Sequence, residues 1–253
     1  MDLFSKKPLF SIITVVYNNR DDLKKTIQSI SSQTCMDFEY IIIDGASTDH
    51  ISEVINEYRK FITRYVSEPD NGLYDAMNKG IRIATGEYLW FINAGDQLAN
   101  PEIIEKISNL TKIKPDALYG ETVIIDDKDQ EVGLRRLKTT ENLTWKSLIN
   151  GLIVCHQAFI VKRILAPEYN LTYKIASDFD WVLNCLKKSA VIVNTHLVII
   201  RFLDGGINKH HIIKSLKERF DIMVKNYGLI KVILMHFIIG IKFFLYTLIH
   251  RRF

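Results

Sequence analysis

Four aspartates, Asp44, Asp75, Asp96 and Asp178, fall at or just beyond the ends of apolar runs. A carboxylate left unpaired at the end of a buried strand carries a desolvation cost that a cation or a donor-rich ligand relieves. Carboxylates so placed ligate hard divalent cations, accept hydrogen bonds from imide or sugar hydroxyl groups, or take protons as general bases. Each also has a structural alternative. Asp44 suits the cap of a following helix, Asp75 gains from a helix dipole, Asp178 suits an N-cap before WVLNCL, and Asn93-Ala94-Gly95-Asp96 is made of common turn residues. Singly, each alternative is the stronger reading; all four together favour a shared site.

The elements that position them follow from periodicity. Glu87 to Asp96, EYLWFINAGD, reads as a strand buried on both faces that stops in a small polar turn. Leu9 to Tyr17 is a β-branched strand, Asn18-Asn19 offers a cap, and Leu23, Ile27 and Ile30 recur at helical spacing. Phe38 to Ile43 is a second strand, with Ser47 or Thr48 as cap for a helix bearing Ile51, Val54, Ile55 and Tyr58. Ile62 to Val66 is a third strand, and a helix over YDAMNKGIRIATG is expected to end at Gly86. Strands alternating with helices imply parallel pairing and right-handed crossovers. After Asp96 the alternation stops: a helix from Pro101, a hairpin from 117–125 and 131–137, a helical 143–148, strands over 153–161 and 191–202, and a helix through Val182, Leu183 and Leu186. The fold class is α/β with a mostly parallel central sheet. Residues 1–96 read as half of a doubly wound sheet, 97–210 as a mixed half of the same domain that suits an acceptor-binding region more than a second nucleotide-binding unit, and 211–253 as a helical tail.

The 253 residues are 47% apolar, enough for a sizeable core, and the net charge of +4 is spread along the chain, which argues against a nucleic-acid binder. Cys35, Cys155 and Cys185 show neither a zinc spacing nor a disulfide framework, and no secretory signal is read at the N-terminus. Leu229 to Ile249 is apolar enough to span a bilayer, but Lys231, His236 and Lys242 interrupt it. The two lysines, about three helical turns apart, share a face. A helix lying in the membrane interface fits this pattern, the alternative being a helix packed on the core or on a second subunit in a homo-oligomer.

Taken together, SIITVVYNN, DGASTD, SEPDNGLYDAMNKGI, the strand ending NAGD, and SDFDW resemble, in order over residues 9–205, the family 2 inverting glycosyltransferases of GT-A fold, and among them the bacterial enzymes that build O-antigen, capsule or exopolysaccharide. The resemblance implies a nucleotide-diphospho-sugar donor, UDP-linked in preference to GDP-linked, and a lipid-linked (polyprenyl diphosphate) saccharide acceptor. It also implies a peripheral place on the cytoplasmic face of the inner membrane. Thr14, Tyr17, Asn18, Asp44 and Ser47 fall where the family cradles the nucleotide. Asp75 and Asn78 match the element beside the nucleotide-sugar, and Asn93, Ala94 and Gly95 line the donor turn. Asp96 occupies the last acidic position of the DxD-type motif, as the ligand of Mn2+ or Mg2+. The motif usually has two or three carboxylates, and here it has one.

Asp178 aligns with the family's base, with Ser177 where Glu is frequent. Asp180, two residues on, points about 200° away on a helix. His156 and Gln157 belong to the acceptor side with Asp180, and His210 and His211 offer a further metal or diphosphate contact. For His156 a hydrogen-bonded core role is equally open. The rival class is a non-catalytic nucleotide-sugar-binding membrane scaffold. A dinucleotide-binding dehydrogenase is disfavoured because no GxGxxG follows the first strand.

Overall fold

The computed structural model describes residues 7–135, 137–205 and 212–238. Its first half runs β1 (Phe10–Val16), α1 (Arg20–Ser31), β2 (Phe38–Asp44), α2 (Ile51–Glu57), β3 (Arg64–Ser67), α3 (Leu73–Ile83) and β4 (Tyr88–Phe91). Neighbouring strands here are all parallel, β2 to β1, β1 to β4 and β2 to β3. Successive side chains of a strand point to opposite faces. Accordingly Phe10, Ile12 and Val16 of β1 join one apolar layer with Leu23, Ile27 and Ile30 of α1, while Ile13 and Val15 join a second with Met77 of α3. A sheet covered on both faces explains why these strands read as unbroken apolar runs.

Two local expectations change. The helix from Leu73 stops at Ile83, before Gly86. Gly86 serves a close approach instead, since a Cβ there would lie 2.6 Å from the Ser11 backbone nitrogen. The cap of α2 is His50 at φ 62, without a side-chain bond. Ser47 and Thr48 are engaged in the strand-end loops described below.

The second half contains β5 (Gln97–Leu98), α4 (Ile103–Leu110), β6 (Ala117–Ile125), β7 (Glu131–Leu134), β8 (Phe159–Lys162), α5 (Ser177–Lys188), β9 (Ile192–Leu203) and α6 (Ile212–Tyr227). Strands line up as β3-β2-β1-β4-β8-β6-β9-β5, with β7 on β6. The sheet is mixed beyond β4: β8 is antiparallel to β4 and β6, and β6 is parallel to β9. The hairpin of β6 and β7 is antiparallel as its sequence implied. The apolar run over 153–161 is only half strand, because His156–Ala158 forms a 3-10 turn ahead of β8; Trp145–Asn150 is likewise 3-10. That turn places Cys155, His156 and Gln157 at the end of β4, facing its polar turn.

Helix α6 is packed on the core through Ile222 and Met223, and Tyr227 stacks on Trp145 at 5.6 Å. After Gly228 at φ 86 a further helix covers 229–238. It buries Val232 and places the His236 ring 5.7 Å from that of Phe220. Gly206, His210, His211 and residues 239–253 of the expected tail lie outside the described residues.

Candidate active site

Two edges meet where β1, β2 and β4 end. On the first, Asp44 closes β2 at 1% exposure and all its acceptor capacity is engaged. Ser47 N and Oγ donate to Oδ1 at 3.0 and 2.5 Å, and Tyr65 OH and Ser67 Oγ donate to Oδ2 at 3.0 and 2.7 Å. Ser47 Oγ in turn accepts from Asn18 N at 2.7 Å, and Asn18 Oδ1 accepts from Thr48 N at 2.8 Å. The loops after β1 and β2 are thereby locked together, with Asn18 held at φ 47. Tyr17 projects from this edge at 66% exposure, an open ring face. Thr14 lies beneath, fully buried, donating to Ile92 O and accepting from Tyr40 OH.

The α3 residues divide. Asp75 sits in the first turn, where Oδ2 accepts from Asn71 N at 2.9 Å, shaping the loop that leads into the helix. Asn78 is buried and exchanges two hydrogen bonds with the Tyr169 backbone, 2.6 Å from its N and 3.0 Å from its O. Asn78 therefore ties the first half of the chain to the second from inside the core.

The second edge holds the turn after β4. Asp96 is 4% exposed and turned inward, with Gln157 Nε2 donating to Oδ2 at 2.8 Å and Leu203 N to Oδ1 at 3.1 Å. Burial pushes its pKa up to about 7, against the lowering effect of those bonds and with a further rise from Asp22. Gly95, at φ 99, allows the tight return, and its N donates to Thr26 Oγ1. Ala94 is half-buried beside it. Asn93 directs Nδ2 toward His156 Nε2 at 3.5 Å, and its Oδ1 is buried without a partner among the described residues.

Such an orphaned oxygen calls for a donor, as a sugar hydroxyl supplies. Each Asp96 oxygen accepts one hydrogen bond from the protein and keeps a further acceptor position for the expected Mn2+ or Mg2+, while burial disfavours the ionised form that such a cation requires. Among the described residues no group of three or more His, Cys, Asp or Glu is placed to hold a metal.

Asp178 occupies the first turn of α5 and is 6% exposed. Its Oδ1 accepts from Phe179 N at 2.8 Å and lies 3.5 Å from Tyr74 OH, whose own proton goes to Ile175 O at 2.8 Å. Its Oδ2 faces His156 Nδ1 at 3.7 Å. Burial depresses the His156 pKa, opposed by the Asp178 charge and reinforced by Arg135, so the ring is neutral at pH 7. A neutral imidazole has one N–H. Carried on Nδ1 toward Asp178, it leaves Nε2 as acceptor for Asn93. Asp180 turns away as the helical step requires: burial raises its pKa, offset by Asn184 and by Lys225 and Lys187.

One short turn thus joins both carboxylates, Gln157 reaching Asp96 and His156 reaching Asp178. Trp90 Nε1 holds this turn from below through Gln157 O at 2.8 Å, and the Cys155 thiol donates to Gln157 Oε1 at 2.7 Å. Residues 11–166 match the profile of Glycosyl transferase family 2. The chain belongs to this family.

Among relatives of this family 2 glycosyltransferase, a PGL/p-HBAD biosynthesis glycosyltransferase of Mycobacterium bovis is 30% identical over 231 residues, 86% of each chain. An uncharacterized glycosyltransferase of Haemophilus influenzae is 26% identical over 184 residues, 72% of this chain and 73% of its own. Of solved structures, S. aureus TarS 1-349 in complex with UDP superposes with a TM-score of 0.64 at 18% identity, covering 87% of this chain and 66% of that one. The Pyrobaculum calidifontis mannosyltransferase PcManGT, in complex with GDP-Man and Mn2+, gives a TM-score of 0.60 at 15% identity over 88% of this chain and 66% of that one. At such identities the likeness shows the fold, which is GT-A.

Three contributors escaped sequence reasoning. Tyr74 is hidden among the apolar positions of α3. Glu218 on α6 accepts from Lys174, Ile175 and Ala176 N at 3.0, 2.8 and 2.9 Å, fixing the approach to α5, yet in sequence it looks like any exposed helical Glu. Arg135 has no local signal at all. For Gln157 its adjacency to His156 was the signal, but its partner is Asp96.

Proposed function

We propose that this glycosyltransferase moves a single sugar, with inversion, from a nucleotide-diphospho-sugar, UDP-linked in the first instance, to a lipid-linked polyprenyl diphosphate saccharide during assembly of a bacterial surface polysaccharide such as O-antigen. The observation that carries the reading is Asp178: a buried carboxylate with one oxygen held by Phe179 N and the other facing the site beside a neutral His156. As the acceptor oxygen attacks the anomeric carbon, its proton passes to Asp178 Oδ2 and the bond from that carbon to the diphosphate breaks. His156 orients Oδ2, and Asn93 Oδ1 accepts from a sugar hydroxyl. Complexes of TarS with UDP and with UDP-GlcNAc support a UDP-linked donor. Tyr17 would stack on its base, with the Asp44 network shaping the loop beneath. A divalent cation here would be held chiefly by the donor's diphosphate, with Asp96 at its side, and would neutralise the diphosphate's charge.

The described start of the last helix supports a peripheral membrane role. Leu229, Ile230, Ile233, Leu234, Phe237 and Ile238 are between 44% and 77% exposed and fall on one side, away from buried Val232. No described helix is long and apolar enough to cross a membrane. A face of this size and composition fits insertion among headgroups at the cytoplasmic side of the inner membrane, next to the lipid-linked acceptor.

Transfer of radiolabelled sugar to lipid-linked acceptor by the wild type, abolished in Asp178→Asn, is the expected result. Nucleotide-sugar binding with no turnover on any lipid-linked acceptor would sink this reading in favour of the membrane scaffold, which the inward-turned Asp96 alone favours.

A further inference from the structure

Breaking the bond between a sugar and a diphosphate adds a further negative charge to a group that is already anionic, and in this site Asp178 adds to that burden. Most described basic side chains at this end of the sheet are committed. Arg20 pairs with Asp21, Lys25 with Asp129, Lys79 with Glu68, and Arg201 with Gln97 and the Asp129 carbonyl. Arg135 differs. It follows β7 directly, its N donating to Thr122 O of β6 at 3.1 Å, and Nη1 is buried with no partner. Among the described residues its guanidinium makes no hydrogen bond or ion pair.

Burial raises the Cys155 thiol and lowers His156, and at both the Arg135 charge acts downward against the upward effect of Asp178. Arg219 also has an unpartnered buried nitrogen, but its charge acts on Tyr74, on the Asp178 side. A buried guanidinium nitrogen without a partner is costly unless an anion completes it. Guanidinium also matches phosphate oxygens in bidentate geometry.

We infer that Arg135 binds the diphosphate of the nucleotide-sugar donor and meets part of its negative charge. The inference rests on the glycosyl-transfer reading above and adds a residue to it. Strand β8 pairs β6 with Phe159 opposite Tyr119, and Arg135 donates its N to Thr122 three residues further along β6, so Arg135 and the 156–158 turn follow the same stretch of β6, and on this inference donor diphosphate, His156 and Asp178 share one centre. The departing nucleoside diphosphate then leaves as an ion pair with Arg135.

The test uses the full chain as wild type, Arg135→Gln and Arg135→Lys, all first shown to melt cooperatively. Affinities for UDP, GDP and the matching nucleosides are measured by calorimetry, and transfer is measured on a lipid diphosphate acceptor and on the same saccharide without it. The expected result is that Arg135→Gln weakens binding of the preferred nucleoside diphosphate about tenfold or more, as loss of a charged hydrogen bond implies. Nucleoside affinity stays unchanged, and Arg135→Lys recovers part of the loss. Equal diphosphate affinity in all three proteins overturns the inference while leaving transfer by the wild type intact. Unchanged diphosphate affinity with a raised KM only for the diphosphate-bearing acceptor overturns it too, by assigning the guanidinium to the acceptor. A wild type that neither binds nucleotide nor transfers sugar overturns the functional reading itself.

Discussion

Asp96→Asn gives the sharpest test of what the single carboxylate of the polar turn is for. Asp96 is buried, its two oxygens accept from Gln157 and Leu203, and burial pushes its pKa up to about 7 from an ordinary value of 3.8. A carboxyl raised in the folded state contributes stability fully present below its unfolded pKa and lost as pH rises through the folded one. Between about pH 4 and 7 the native protein holds a proton that the unfolded chain has released. Each pH unit in that window then removes about 1.4 kcal/mol from the wild type.

Asparagine has no proton to lose, so the variant lacks this slope. Urea unfolding followed by tryptophan fluorescence at pH 5 and pH 8 should show the wild type losing roughly 3 kcal/mol more than Asp96→Asn across the interval. The variant keeps an acceptor for Leu203 N, and Gln157 turns its amide to meet the new NH2 group. Parallel pH slopes for the two proteins would refute the argument, showing Asp96 ionised throughout and free to act as a metal ligand.

Other expectations follow from the same geometry. Asp178→Asn should lower kcat by about a hundredfold or more while leaving nucleotide affinity within about twofold, read in parallel transfer and calorimetry assays; equal losses in both would make Asp178 a structural residue. Asp44→Ala strands the donors of Ser47, Tyr65 and Ser67 and should cost about 3 kcal/mol in urea unfolding; a neutral result would mean the loops are held elsewhere. Ile233→Asp with Phe237→Asp should shift the protein from sedimenting with anionic vesicles to the supernatant without changing its melting temperature. Continued sedimentation would remove the helix from the membrane contact.

The first four strands and three helices were legible because both faces of that sheet are covered, and covered strands and amphipathic helices leave clean apolar patterns. Beyond Asp96 the pattern thinned. The apolar run 153–161 is buried throughout, and burial alone does not distinguish a strand from the tight turn that holds His156. The site was half legible. Asp44, Asp96 and Asp178 announced themselves as acids at strand ends or helix starts, but not which way each points. Asp44 and Asp96 spend their oxygens on the protein, whereas Asp178 keeps one facing the site. Orientation depends on partners such as Tyr65, Gln157 and Leu203, which lie between 21 and 107 residues away in sequence. No local pattern encodes such pairings.

Helix α6 carries Glu218 at one place and ends at Gly228, where the outward-facing apolar helix begins. Glu218 grips the three backbone N–H groups that precede the helix of Asp178. Anything that takes hold of the outer helix therefore acts, across Gly228, on the helix whose Glu218 fixes the approach to Asp178. The arrangement is that of a lever, with its handle on the surface and its tip at Asp178. If the outer helix docks on a membrane as proposed, bound and free protein would differ in how firmly that tip is held, so turnover on a water-soluble acceptor should rise when empty vesicles are added.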